Sequence, residues 1–320
     1  MALMIGDRMS RLNGAKFKTD QFQYIEQLEK LEFGEVMNMK HPEKWRDTEN
    51  PYSLPYKNFS LLEIIGYPHA GNDVFQVKGM YKQQEVEAYI KVARQLGADI
   101  ENEINTINAI NCELAPSIID YDEEKKHFCV SLAKQGDRLS VIVGDNSECV
   151  SLDYIYEYGQ TLAKLHTTEG KFPEVKDRRF FHIPEKQYFS ELNIEFVYEY
   201  LISNQPQTIN KCFCHGDFHY ANILWKEKHI SAILDFELSG FGNKEFDIAW
   251  ALILRPGQKF MNTDREIFLF RDGYLSVGNC NWNYVKYYMV LIYSYFYRIG
   301  KEDATYQSYI KDVFIDYCKI

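Results

Sequence analysis

The sequence lacks the cysteine spacing of a disulfide framework or a zinc site. Its seven cysteines are scattered over 320 residues, are odd in number and include no C-x-x-C pair, so we expect reduced thiols, as in the cytoplasm. Long apolar runs are also lacking. The best one, 288–297, is too short to span a membrane, and the amino terminus has no signal-peptide pattern. We therefore expect a cytoplasmic protein without a membrane partner.

Basic residues are outnumbered, 36 Lys and Arg against 46 Asp and Glu, which gives a net charge of −10. Such a surface repels nucleic-acid phosphates, so we expect no nucleic-acid partner, and it favours a cationic small molecule. Several motifs are missing as well: the Walker A loop, H-E-x-x-H, G-x-S-x-G and the Rossmann G-x-G-x-x-G. Their absence argues against P-loop, zincin, α/β-hydrolase and dinucleotide-binding chemistry.

The length of the chain predicts a globular protein of about two domains. Residues 1–58 are expected to form an extension, with an amphipathic helix over 21–33 and a polar, proline-containing connector. Residues 59–134 read mainly as short strands plus one helix over 99–110, and residues 135–320 read as mainly helical. Within the helical part, a strand-like cluster lies at 212–214, 223–225 and 230–235, and helices are predicted over 151–168, 186–203, 245–254, 264–275, 283–299 and 303–318.

Three polar residues in this strand-like cluster carry the strongest chemical signal. Asp217 is followed five residues later by Asn222, and Asp235 ends an apolar strand thirteen residues after that. Asp217 could take a proton from a hydroxyl nucleophile, while Asn222 and Asp235 offer hard oxygen ligands suited to Mg²⁺. Each alone is an ordinary turn residue or strand-end cap. As an ordered set at strand ends they favour catalysis.

The segments His215–Leu224 and Ile233–Glu237, with Asp247–Ala249, resemble the aminoglycoside phosphotransferase and choline kinase superfamily, and Leu162–His166 resembles its L-A-x-L-H helix. These are small-molecule kinases with a protein-kinase-like fold. The resemblance implies an α+β, bilobal chain: a β-rich nucleotide-binding lobe over 59–134 and a mostly helical catalytic lobe over 135–320. It implies ATP, with GTP as the alternative, and Mg²⁺ as cofactors. Asp217 becomes the catalytic residue, and Asn222 and Asp235 the metal ligands.

The resemblance also implies nucleotide-binding partners. In Val86–Val92, period-2 alternation puts Lys91 opposite the apolar row, where it would hold phosphates. A carboxylate on the next helix would pair with it, Glu103 by preference and Glu101 as the fallback. Further nucleotide-binding candidates follow from the resemblance. Gly71 and Asn72 would form a phosphate-covering turn, and the backbone at Ser131 and Ala133 would face adenine. His219, in the catalytic loop, would either contact phosphate or pack in the loop.

The acceptor is left open by these patterns. The family and the acidic balance suggest an aminoglycoside-like, cationic acceptor and hence antibiotic resistance. Choline, ethanolamine, a macrolide or a sugar are the alternatives. A different class of function is a pseudokinase that binds nucleotide without turnover, which the complete set of Lys91, Asp217, Asn222 and Asp235 argues against. Gly216 and Glu237 stand where protein kinases carry Arg and Gly, and this departure favours the antibiotic-kinase side.

Overall fold

The computed structural model describes residues 42–44, 47–68, 71–94, 97–144 and 148–318. The helix predicted over 21–33 lies outside them, as does most of the amino-terminal extension. The described chain divides into two compact units, which meet in the sequence between Lys134 and Gln135. In neither unit does a described helix combine the length and the apolar character needed to cross a membrane.

Among its described residues, the N-terminal unit has one antiparallel sheet of five strands and one α-helix. The strands are ordered β1-β2-β3-β5-β4. The elements are β1 (Phe59–Gly66), β2 (Asp73–Tyr81), β3 (Gln84–Val92), α1 (Ile100–Ala109), β4 (Ile118–Tyr121) and β5 (Phe128–Leu132). A hairpin joins β2 and β3 at Lys82 and Gln83, which both have positive φ, as a two-residue type I′ turn requires.

Alternation along β3 sorts its side chains between the two faces of the sheet. Ala88, Ile90 and Val92 are buried in the core with Phe75 and Val77 of β2. Because successive side chains of a strand point to opposite faces, the intervening Lys91 lies on the other face, as the pattern predicts. It stands opposite Val74 of β2 and Cys129 of β5.

In its described residues the C-terminal unit is mostly helical, as the sequence predicts, and has two small sheets. Its helices are α2 (Leu139–Val143), α3 (Glu148–Leu165), α4 (Lys186–Glu191), α5 (Glu195–Ser203), α6 (Lys244–Leu252), α7 (Asp264–Leu275), α8 (Trp282–Ile299) and α9 (Ala304–Cys318). Its strands are β6 (Asp137–Arg138), β7 (Lys211–Cys214), β8 (Ile223–Lys226), β9 (His229–Ile233) and β10 (Gly240–Asn243). The strands pair as β6-β8-β9 and as β10-β7.

One predicted helix is wrong: residues 186–203 form two helices, α4 and α5. The first ends at Glu191 with Leu192 as its C-cap, and the residue after the cap, Asn193, has a φ of 56°. Asparagine adopts this left-handed conformation more readily than most residues, so it ends a helix despite apolar periodicity on both sides. Strand β10 was not predicted because its two glycines have low strand propensity; its pairing with β7 and the bridge between Phe241 and Glu174 hold it extended.

Candidate active site

The catalytic-loop candidates occupy the turn between β7 and β8. Strand β7 ends at Cys214, a short 3₁₀ turn covers Tyr220–Asn222, and β8 begins at Ile223. Asp217 is 5% exposed and Asn222 2% exposed. Two polar side chains buried in a loop require partners, and the loop supplies them: the Asn222 Nδ2 donates to the Asp217 backbone oxygen at 2.9 Å and to its Oδ2 at 3.2 Å.

The second oxygen of Asp217 has a donor that the sequence analysis missed. Trp250 Nε1 donates to Asp217 Oδ1 at 2.8 Å from helix α6. Trp250 lies three residues after Asp247, so both project from one face of the helix. That spacing is the signal that could have found it. The Asp217 carboxylate is thus held between an amide and an indole N–H.

Asp235 reaches the loop through the hairpin of β8 and β9. Ile223 pairs with Ile233, and Leu234 N–H donates to the Asn222 carbonyl oxygen at 2.7 Å. Asp235 follows directly, with a left-handed φ of 68°. A non-glycine residue in this region is uncommon, and such backbone strain clusters at functional sites. The structure therefore brings Asp217, Asn222 and Asp235 onto one end of one hairpin.

The loop is braced by Asp247, which lies in the first turn of helix α6. Its two oxygens accept the backbone N–H groups of His215 at 3.0 Å and Gly216 at 2.9 Å, and His166 lies 3.1 Å from Oδ2. Burial raises the pKa of Asp247, but its hydrogen bonds and charge interactions with His166 and His215 outweigh burial and hold that pKa below its ordinary value. The carboxylate therefore stays ionised and holds the loop backbone.

His219 lies inside the loop. Its Nδ1 accepts the backbone N–H of Ala221 at 3.2 Å, and its Nε2 lies 3.5 Å from Asp217 Oδ2. These contacts agree with packing in the loop, one of the two roles considered for this residue. Contact with phosphate stays a proposal.

His215 links the loop to the strand that precedes Asp235. Its Nε2 donates to the Leu234 carbonyl oxygen at 3.1 Å, and its Nδ1 accepts the N–H of Asp217 at 3.2 Å. This pattern needs a neutral ring with the proton on Nε2. Complete burial lowers the pKa of His215 below 6.5, although Asp247 and Asp217 oppose the shift.

We expect this buried neutral imidazole to make the protein acid-sensitive. Below pH 6.5 the unfolded chain takes up a proton at His215 that the folded chain does not, so the free energy of unfolding falls, by up to about 1.4 kcal/mol per pH unit. Urea unfolding at pH 7.5, 6.5 and 5.5 measures this slope. His215→Asn should flatten it, and the exposed control His229→Asn should not. Equal slopes in all three proteins would contradict the assignment.

In the N-terminal unit, the phosphate-binding candidates form an ion pair. Lys91 Nζ lies 2.5 Å from Glu103 Oε2, and both side chains are about nine-tenths buried. Helix α1 starts at Ile100, and its N-cap is Asp99, whose Oδ1 accepts the N–H of Asn102 at 3.0 Å. This cap sets the register that turns Glu103 toward the strand and leaves Glu101 exposed.

The remaining nucleotide-binding candidates of this unit lie along strands β2 to β5. The Asn72 amide oxygen accepts the backbone N–H of Arg94 at 3.2 Å, which holds the turn between Gly71 and β2 against the end of β3. Ser131 lies in β5 opposite Tyr89. The Ala133 N–H donates to the Glu87 carbonyl oxygen at 3.0 Å, so this N–H is engaged within the unit.

Comparison with known proteins places these residues in context. The family model described as "Phosphotransferase enzyme family" matches residues 72–274. No curated protein sequence matches the chain. Solved structures do: a thermostable mutant aminoglycoside phosphotransferase in complex with ADP and hygromycin B is 12% identical, with 81% of this chain and 93% of that chain covered and a TM-score of 0.51. This likeness confirms the predicted fold.

Two further solved structures are similar over most of their length. A macrolide 2'-phosphotransferase from Brachybacterium faecium is 15% identical, covers 82% of this chain and 94% of its own, and has a TM-score of 0.49. A choline/ethanolamine kinase family protein from Mesorhizobium loti is also 15% identical, with coverage of 84% and 88% and a TM-score of 0.47.

Proposed function

We propose that this chain, which belongs to the phosphotransferase enzyme family, transfers the γ-phosphate of ATP to a hydroxyl group of a small molecule. The observation that carries the proposal is the buried Asp217 carboxylate, held by Trp250 at one oxygen and by Asn222 at the other. A carboxylate in fixed orientation can accept the proton of an acceptor hydroxyl and direct its lone pair toward phosphorus.

The metal ligands of the proposal are Asn222 and Asp235. Because the Asn222 Nδ2 donates to Asp217, its Oδ1 is the atom of this side chain that can bind a cation. Amide and carboxylate oxygens are hard ligands, which suit Mg²⁺. The backbone contact between Leu234 and Asn222 keeps the two ligands at the same end of the hairpin. When bound, the metal would neutralise phosphate charge.

Lys91 would hold phosphate oxygens, with Glu103 fixing its ammonium. The expected nucleotide is ATP, with GTP as the alternative. Because phosphoryl transfer has a loose transition state, positioning and charge neutralisation by these residues supply most of the acceleration. The same ion pair would serve a pseudokinase, so turnover is the deciding observation.

Asp235→Ala should abolish the metal dependence of nucleotide binding. For the wild type, ATP with Mg²⁺ should raise the melting temperature more than ATP alone, because a ligand that binds only the folded state stabilises it by RT ln(1 + [L]/Kd). In Asp235→Ala the two shifts should become equal. The control is Asp153→Ala, which removes an exposed carboxylate paired with Lys228. A full Mg²⁺-dependent shift in Asp235→Ala would remove this residue from the metal site.

The finer proposal, an aminoglycoside-like acceptor, is supported by the net charge of −10. Net charge describes the whole chain and does not locate an acceptor. ATP consumption over a panel of aminoglycosides, choline, ethanolamine, macrolides and sugars tests the general function. Acceptor-dependent ADP release that disappears in Asp217→Asn supports a kinase. Nucleotide binding without turnover on any hydroxyl compound would instead indicate a pseudokinase.

A further inference from the structure

A buried guanidinium lies close to the proposed base. Arg178 is 7% exposed and directly precedes the 3₁₀ turn Arg179–Phe181. Its guanidinium carbon lies 4.9 Å from the ring centre of Phe181, 5.2 Å from that of Trp250 and 5.8 Å from that of Phe246. Three aromatic rings thus surround one cation.

The hydrogen-bonding capacity of Arg178 is largely unused. Among the described residues, no partner accepts from its buried Nε or Nη2. Burial lowers the pKa of Arg178, while the carboxylates of Asp217 and Asp247 oppose that shift, and a guanidinium stays charged in proteins. A buried charge whose N–H groups lack acceptors is costly to the folded state. Its presence points to an anion that completes it.

Arg255 shows that the aromatic contact alone does not explain Arg178. Arg255 is 1% exposed, and its guanidinium lies 5.3 Å from the same Trp250 ring. Yet Arg255 donates from Nη1 to the Ile253 carbonyl oxygen at 3.1 Å and from Nη2 to the Trp250 carbonyl oxygen at 3.3 Å. Arg255 therefore anchors the end of helix α6, whereas Arg178 anchors nothing comparable.

Trp250 connects Arg178 to Asp217, the proposed base. One indole contacts the Arg178 guanidinium through its ring and the Asp217 carboxylate through its Nε1–H. The cation is therefore one side chain away from the group that would orient the acceptor hydroxyl.

We infer that Arg178 binds an anionic group, a carboxylate or a phosphate, on the acceptor whose hydroxyl Asp217 orients. The planar fork of a guanidinium matches both anions with two parallel hydrogen bonds. The inference rests on the proposed function, since it assumes that the chain phosphorylates an acceptor molecule. It assigns the acceptor a local charge opposite to the one that the net charge of the chain suggests, because short-range contacts in a buried site outweigh screened surface charge.

Binding of matched probes tests this inference without turnover. The probes are glycerol, glycerate and glycerol 3-phosphate, and glucose, gluconate and glucose 6-phosphate, titrated by calorimetry at constant ionic strength. We expect at least one anionic member to bind the wild type more tightly than its neutral counterpart. Arg178→Gln should weaken that binding by at least about 30-fold, and Arg178→Lys by less. Arg255→Lys, which changes the other arginine on the same ring, should keep it.

The outcomes separate the anion site from the catalytic proposal. The inference is overturned if none of the six probes binds, or if the neutral members bind more tightly than the anionic ones. It is also overturned if Arg178→Gln and Arg255→Lys lose equal affinity for the anionic probe while both melt at the temperature of the wild type. If Arg178→Gln melts early, the comparison passes to Arg178→Lys. Arg178-dependent anion binding without any ATP consumption would keep the anion site and refute the kinase. Carboxylate and phosphate members bound unequally identify which anion the site takes.

Discussion

Asp217→Asn should lose turnover by about 10² to 10⁴, the usual contribution of a positioned general base. Asparagine keeps the shape of the side chain and an oxygen that can accept from Trp250, but it has neither the negative charge nor a site for the acceptor proton. ATP affinity should stay close to that of the wild type, because the proposal assigns the nucleotide to Lys91 and to the metal ligands. The measurements are ADP release with an identified acceptor and calorimetric titration of ATP.

Asp247→Asn is the matched comparison for that experiment. Asp247 contributes no oxygen to the proposed reaction, yet it accepts two loop N–H groups and lies against His166. An asparagine amide nitrogen would face a donor there, and an unsatisfied buried polar group costs about 1 to 3 kcal/mol. Asp247→Asn should therefore lower the melting temperature along with activity. Near-normal turnover in Asp217→Asn would mean that the catalytic loop is misassigned.

Gly216→Ala should be the most damaging small substitution in the loop. Gly216 has a φ of 79°, and a Cβ built on it would lie 2.1 Å from the Leu238 carbonyl oxygen. A backbone atom cannot move aside as a flexible side chain can, so either the loop or the 236–238 turn must shift. Displacement of a catalytic group by about 1 Å can cost 10²-fold in rate. We expect a comparable loss of turnover in addition to a lower melting temperature.

Gly257→Ala is the control that separates the backbone strain of Gly216→Ala from its steric collision. Gly257 has the same φ of 79°, but a Cβ there would meet no atom within 4 Å. Both substitutions place alanine in a left-handed conformation, which costs about 1 to 2 kcal/mol. Only Gly216→Ala adds the collision, so it should cost at least about 2 kcal/mol more in urea unfolding. Equal losses in the two variants would show that the loop adapts around the added methyl group.

Most of the fold followed from local patterns. Period-2 alternation in β3 put Lys91 on the face away from the apolar core, and apolar spacing placed helices such as α7 within a residue or two. Local patterns failed where one residue overruled the periodicity around it, as Asn193 does between α4 and α5. They also failed where long-range pairing supplied the energy, as in β10. Neither effect is visible in a window of neighbouring residues.

For the proposed catalytic loop, too, the sequence determined one part and the tertiary structure another. The order of Asp217, Asn222 and Asp235 can be read from the sequence, because Asn222 and Asp235 flank the β8–β9 hairpin and Asp217 lies in the loop just before it. The indole at Oδ1 comes from a helix 33 residues further along, and the spacing of Asp247 and Trp250 only hinted at it. Glu103 rather than Glu101 was decided by the cap at Asp99, which sets the helical register.

The sequence by itself determined the family, the order of the elements and the identity of the polar residues at the strand ends, because these depend on residue type and on short spacing. Only the tertiary structure decided what surrounds Asp217. Arg178, Trp250 and Arg255 come from two segments far apart in the chain, and no periodicity links them. Packing around one indole brings two guanidinium groups to the same ring: that of Arg255, whose two terminal nitrogens donate to carbonyl groups, and that of Arg178, whose Nε and Nη2 have no acceptor among the described residues. Which of the two has partners depends on carbonyl groups that only the folded backbone places.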